Sequence, residues 1–275
     1  MKIHHLNCGT MCPACQRLIN GYGSWLKPAK LCCHCLLIET KQSLVLIDTG
    51  FGTQDIKNPN KNLGLSFRAL TRPKLDLSET ALYQIKALGY SPSDVTDIFP
   101  THLDLDHAGG LSDFPQATVH IYQAELDYAL KPKFKDRTRY RAAQFSHQPR
   151  WQSYNAPSED WFGLDSFDCA EQLGFELNLI PLIGHTWGHA AIAIKQNDQW
   201  LMHCGDAYFH HTELDNPADM PIGLKFFEQQ VETNRTLRLD SLQKLQHLKK
   251  NHPDIKMFCA HDETELLNLQ KLSTI

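Results

Sequence analysis

His102-Leu103-Asp104-Leu105-Asp106-His107 puts four metal-binding side chains into six consecutive residues. An apolar run at 95–100 precedes it and reads as a short strand. Residues two apart in extended chain project to the same side, so His102 and Asp104 are placed to grip one ion. Once the chain bends, Asp106 and His107 are placed to grip a second. Ala108-Gly109-Gly110 follows and permits a tight turn into a helix.

Four donors do not complete two ions, and the remaining ones stand after other apolar runs. His185 and His189 flank Thr186-Trp187-Gly188, after a strand read at 175–183. Asp206 follows Gly205 and a strand at 200–204, and His261 follows a strand at 255–259. Asp48 closes a strand at 44–48 and opens the loop Asp48-Thr49-Gly50-Phe51-Gly52. A single His or Asp at a strand end more often serves a turn. The joint placement points to a metal site, and imidazole with carboxylate suits zinc, iron or manganese.

Further strands read at 3–7, 32–39, 118–122 and 190–195. Amphipathic helices read from Ser78 to Gly89, at 123–130, over 228–250 and at 263–272. Strand-rich halves, each followed by helix, give an α/β (α+β) chain of two sheets covered by helices. No linker stands out, so residues 1–275 read as one domain. The stretch 131–168 loses periodicity and mixes aromatics with Lys131, Lys133, Lys135, Arg137, Arg139, Arg141 and Arg150. It reads as a substrate-facing insertion.

Hydrophobic residues make up 42% and charged residues 21%, which supports a packed core. A net charge of -4 argues against nucleic acid held by overall charge. No apolar run is long enough to span a membrane, and no signal segment opens the chain, so a cytoplasmic protein is expected. The nine cysteines then read as thiols. Cys12 and Cys15 have ligand spacing and, with Cys33 and Cys35, form a candidate structural metal site; buried thiols are the preferred reading.

The ordered set Asp48, His102 to His107, His185, Asp206 and His261 resembles the five signature segments of the metallo-β-lactamase superfamily. That resemblance implies a four-layer αββα sandwich with two divalent ions at one edge. His102, Asp104 and His185 would hold one ion, and Asp106, His107 and His261 the other, with Asp206 between them. Asp48 and His189 would support the ligands. The commonest family motif has His at position 104; the carboxylate there tilts preference from zinc toward iron or manganese.

The implied chemistry is hydrolysis by a metal-bridging hydroxide, with Asp106 and Asp206 as the catalytic carboxylates. Asn7-Cys8-Gly9-Thr10-Met11 and Thr101-His102 look most like the branch of N-acyl homoserine lactonases. A small ester-like substrate is therefore expected, with a lactone preferred, then a thioester as in glyoxalase II-like relatives, or a phosphodiester. Non-hydrolase alternatives are a di-iron redox protein and a metal-bound ligand sensor. That branch carries a tyrosine three residues after the bridging Asp; here Phe209 stands there and Tyr208 precedes it, and both are candidate substrate contacts. A homodimer is implied by the resemblance only.

Overall fold

The computed structural model describes residues 1–273. Twelve strands form two six-stranded sheets. The first contains β1 (Lys2–Met11), β2 (Leu31–Glu39), β3 (Leu44–Ile47), β4 (Val95–Phe99), β5 (Thr118–Tyr122) and β6 (Arg150–Tyr154), ordered as numbered. The second contains β7 (Glu159–Trp161), β8 (Leu164–Asp168), β9 (Leu177–Pro181), β10 (Ala190–Gln196), β11 (Gln199–His203) and β12 (Lys256–Phe258). Strands β3 to β6 run parallel, as do β11 and β12; the other neighbours are antiparallel.

Central strands are apolar at nearly every position because both of their faces are covered. In β2, Leu36 and Ile38 turn inward and meet Phe167, Leu179, Ile192 and Phe258 of the facing sheet. Leu37 faces the other way, toward Ala81, Ile85 and Leu126 on outer helices. On the far side, Ala191, Ala193 and Met202 pack against Leu242, Leu245 and Leu248 of the helix Arg235–Asn251. Helix, sheet, sheet and helix thus make the four-layer αββα sandwich. No helix among the described residues is long and apolar enough to cross a membrane.

The long helix read over 228–250 is two helices, Ile222–Val231 and Arg235–Asn251. Asn234 caps the second, its side chain accepting from Leu237 N at 3.1 Å. The backbone N–H groups of Thr233 and Asn234 donate to Gly184 O at 3.0 and 2.9 Å. This tertiary pairing outweighs the helical pattern. The stretch 131–168, read as a substrate-facing insertion, places Lys135, Asp136, Thr138 and Arg139 on the cavity described below. It begins with short 3-10 turns, Phe134–Asp136 and Ala142–Phe145, but then supplies β6, β7 and β8. Trp151 and Tyr154 lie on the edge strand β6, Trp161 on the edge strand β7 and Phe167 on β8, while Phe134, Tyr140 and Phe145 lie on or beside the 3-10 turns.

Strands β3, β4, β9, β11 and β12 all end at one edge of the sandwich. The loops after them carry Asp48, His102 to His107, His185, Asp206 and His261.

Candidate metal centre

The site is built outward from buried carboxylates. Asp48 has φ 56°, a left-handed conformation that Asp tolerates, and its carboxylate is buried. It accepts from Thr101 N at 2.7 Å, from Thr101 Oγ1 at 3.0 Å and from His107 Nδ1 at 2.8 Å. The Thr101 hydroxyl, with its proton on Asp48, accepts from His102 Nδ1 at 3.0 Å. His261 Nδ1 donates to Cys32 O at 2.7 Å. With each Nδ1 committed, the three imidazoles turn Nε2 into one space. His102 Nε2, His107 Nε2 and Asp206 Oδ1 are buried without a hydrogen-bond partner.

Asp206 lies at the centre. Its Oδ1 is 3.3 Å from His107 Nε2 and 3.2 Å from His261 Nε2. Its Oδ2 is 3.3 Å from His185 Nε2 and 3.9 Å from His102 Nε2. Asp104 Oδ2 stands 3.2 Å from His102 Nε2 and 3.1 Å from His185 Nε2. Asp106 Oδ2 stands 3.5 Å from His261 Nε2 and 3.9 Å from His107 Nε2. Donors bound tetrahedrally at zinc-like bond lengths lie about 3.3 Å from one another. The separations suit two donor sets, one of His102, Asp104 and His185, the other of Asp106, His107 and His261. Each set faces one oxygen of Asp206.

His189 lies behind this array. Its Nδ1 donates to Leu182 O at 2.9 Å and its Nε2 accepts from Asp206 N at 2.9 Å, so both nitrogens are used. Gly205 makes this approach possible: at φ 53° a Cβ there would come within 2.5 Å of His189 Nε2.

A sequence profile described as the metallo-beta-lactamase superfamily matches residues 31–251. The chain belongs to the metallo-beta-lactamase superfamily. It is 40% identical over 264 residues to a probable metallo-hydrolase of Mycobacterium tuberculosis, covering 95% of this chain and 80% of that one. The N-acyl homoserine lactonase AttM of Rhizobium radiobacter is 29% identical over 204 residues, 72% of this chain and 70% of AttM. Among solved structures, a mutant of B. thuringiensis AiiA with N-decanoyl-L-homoserine bound at its active site superposes with a TM-score of 0.72. That pair is 21% identical and covers 97% and 95% of the two chains. AidC, a dizinc quorum-quenching lactonase, gives 0.62 at 19% identity, covering 94% and 86%. These two likenesses concern the fold. Superfamily membership and the metallo-hydrolase relative make this chain a metal-dependent hydrolase.

In this site the surroundings shift the carboxylates in different directions. Burial works against an ionised Asp206, but His261, His107 and His185 outweigh it and hold its carboxyl well below the usual range. Burial likewise opposes Asp104, and Arg139 followed by His102 reverses the balance, again to well below. Burial raises Asp106, with repulsion from Asp206 and Asp104 adding to it against His107 and His261. Burial would lower His107 and His261, yet the surrounding carboxylates, Asp206 first, raise both. His102 falls to about 4, through burial and then the neighbouring His107.

Several contributors were not singled out by sequence reasoning. Arg139 forks onto Asp104, Nε to Oδ1 at 2.5 Å and Nη2 to Oδ2 at 2.6 Å. It was one cation among seven in its stretch, and no spacing marked it. Glu125 joins two ligand loops: Oε1 accepts from Leu103 N at 2.9 Å and Oε2 from Gly188 N at 3.1 Å. The Thr101 hydroxyl links Asp48 to His102, a role that the Thr101-His102 motif alone does not mark. Cys33, a buried free thiol as preferred from the sequence, brings its sulfur near Asp106 and His261. Among the described residues, Cys12 and Cys15 join no cluster of ligand atoms.

Above the donors lies a cavity of about 390 Å³. Met11, Phe67, Leu70, Phe209, Phe227 and Val231 form an apolar wall, and Lys135 and Arg139 lie on its polar side. Phe209 stacks on His261 with ring centroids 5.3 Å apart. Tyr208 is buried away from the cavity, its hydroxyl donating to Glu265 Oε1 at 3.0 Å.

Proposed function

We propose that this chain hydrolyses an ester-like bond in a small acyl substrate, with a lactone the preferred class, at a centre for two divalent ions. The observation that carries the reading is Asp206, whose two oxygens each face a separate histidine pair beneath an apolar-walled cavity. His102, Asp104 and His185 would hold one ion, Asp106, His107 and His261 the other, with Asp206 shared. Zinc fits the donors, and the carboxylate of Asp104 favours iron or manganese more than a histidine would. Bound there, the ions supply Lewis acidity toward a carbonyl oxygen and lower the pKa of water.

The protein's own groups do the rest. Asp106, whose carboxylate stands 3.5 Å from His261 Nε2 and borders the cavity, is placed to take a proton from water and return it to the leaving alkoxide. One water is consumed, and an acid and an alcohol result. Phe67, Leu70, Phe227 and Val231 offer an acyl chain a dry wall. The lactonases among the relatives support a lactone over the thioester and phosphodiester alternatives.

The test is a panel of acyl lactones, thioesters and phosphodiesters assayed with zinc, iron or manganese of known occupancy. Lactones should turn over fastest. Asp206→Ala should lose both turnover and bound metal; retained turnover would refute the shared-carboxylate centre.

A further inference from the structure

Arg139 is only 17% exposed, and its guanidinium is anchored on two sides. Nη1 donates to Val231 O at 2.8 Å and lies 3.3 Å from both Thr233 Oγ1 and His185 O. Nε and Nη2 fork onto Asp104, and Nη2 also lies 2.7 Å from His185 Nε2. A guanidinium has donors only, so His185 Nε2 is the acceptor in that contact. It therefore spends on Arg139 the lone pair an ion would need. Arg139 thus engages two of the three donors in the first set, Asp104 and His185. The second set is different: among the described residues, no arginine or lysine contacts Asp106, His107 or His261, whose neighbours are Asp48, Asp206, one another, Thr101, His102, Cys33, Phe209 and backbone.

We propose that Arg139 is a built-in cation that competes for the first donor set, so that the two positions load in order. The second set fills first. The first fills only when Nη2 gives up His185. This rests on the two-ion reading above. It also accounts for the acidic residue at position 104, because a neutral histidine there would leave the enclosed guanidinium without its counter-charge.

The experiment is a chelator-buffered zinc titration of the full chain, prepared metal-free, read as bound metal per chain. The wild type should show two dissociation constants at least about ten-fold apart, as expected for an ion bound beside a fixed positive charge. His185→Ala should remove the weaker constant and leave the tighter one. Arg139→Gln should tighten the weaker constant toward the other without moving the tighter one. The proposal is overturned if Arg139→Gln weakens the first position or leaves it unchanged, or if His185→Ala removes the tighter constant. Should Arg139→Gln fail to fold, the wild-type and His185→Ala pair still decides. A wild type that takes up fewer than two ions at saturation refutes the two-ion reading itself. Two ions bound with equal constants refute only the order of loading.

Discussion

Asp48→Asn isolates what a residue that need not touch an ion contributes to the centre. The backbone is not the issue, since Asn tolerates the left-handed φ of 56° as readily as Asp. The change lies in the acceptors. The amide oxygen can keep Thr101 N, now accepted by Oδ1 at 2.7 Å. The amide nitrogen then occupies the place of Oδ2, 2.8 Å from His107 Nδ1. Two N–H donors cannot face each other, so neutral His107 must carry its proton on Nε2, the atom aimed at Asp206. Losing such a partner costs about 10–100-fold in metal affinity, which is about 1.4–2.7 kcal/mol. Replacing the charge-assisted bond should also cost the metal-free fold about 1.5–3 kcal/mol. Chelator competition measures the first, urea unfolding the second, and nitrogen NMR of the histidine rings the tautomer. An Asn variant that binds metal as tightly as wild type, with the proton still on His107 Nδ1, would refute the reasoning.

Metal capture should release protons, because the carboxylates around His107 and His261, Asp206 first, raise both above the ordinary histidine range in the metal-free protein. Affinity should therefore rise with pH above about 6.5; calorimetry in buffers of different ionisation enthalpy checks this, and a flat profile would contradict it. The same raised values stabilise the metal-free fold below about 6.5, and that contribution is lost as pH climbs through the folded-state values. For acyl lactones, kcat/KM should grow roughly four-fold per added methylene, from about 0.8 kcal/mol each, until the wall of Phe67, Leu70 and Phe227 is covered. Leu70→Asp should flatten that series without changing metal content.

The candidate ligand set was legible because each of its loops follows an apolar strand, and the strands that end at one edge deliver those loops together. Tyr208 and Phe209 show where that legibility stops. Adjacent residues face opposite ways, and only the packing decides that Phe209 meets the cavity while Tyr208 meets Glu265. Arg139 was hidden for a related reason. Its partner lies 35 residues earlier, and nothing in the spacing of seven cations says which one folds back. The helix break at 232–234 depends on Gly184 O, nearly fifty residues away, while the leucines on either side continue a helical pattern. In 150–168, the strands β6 to β8 were not legible because half-buried strands with mixed aromatic and polar residues share the composition of an irregular insertion.

That break also joins parts that would otherwise be independent. On one side it ends the helix bearing Phe227 and Val231, two members of the cavity wall. On the other, Val231 O and Thr233 Oγ1 hold Arg139, while Thr233 N and Asn234 N hold the loop of His185. A substrate chain that pushes on the wall therefore pushes on the arginine and on a candidate ligand through three residues. Substitutions at 232–234, where Glu232 and Thr233 also line the cavity, become a means of tuning chain-length preference and metal uptake together.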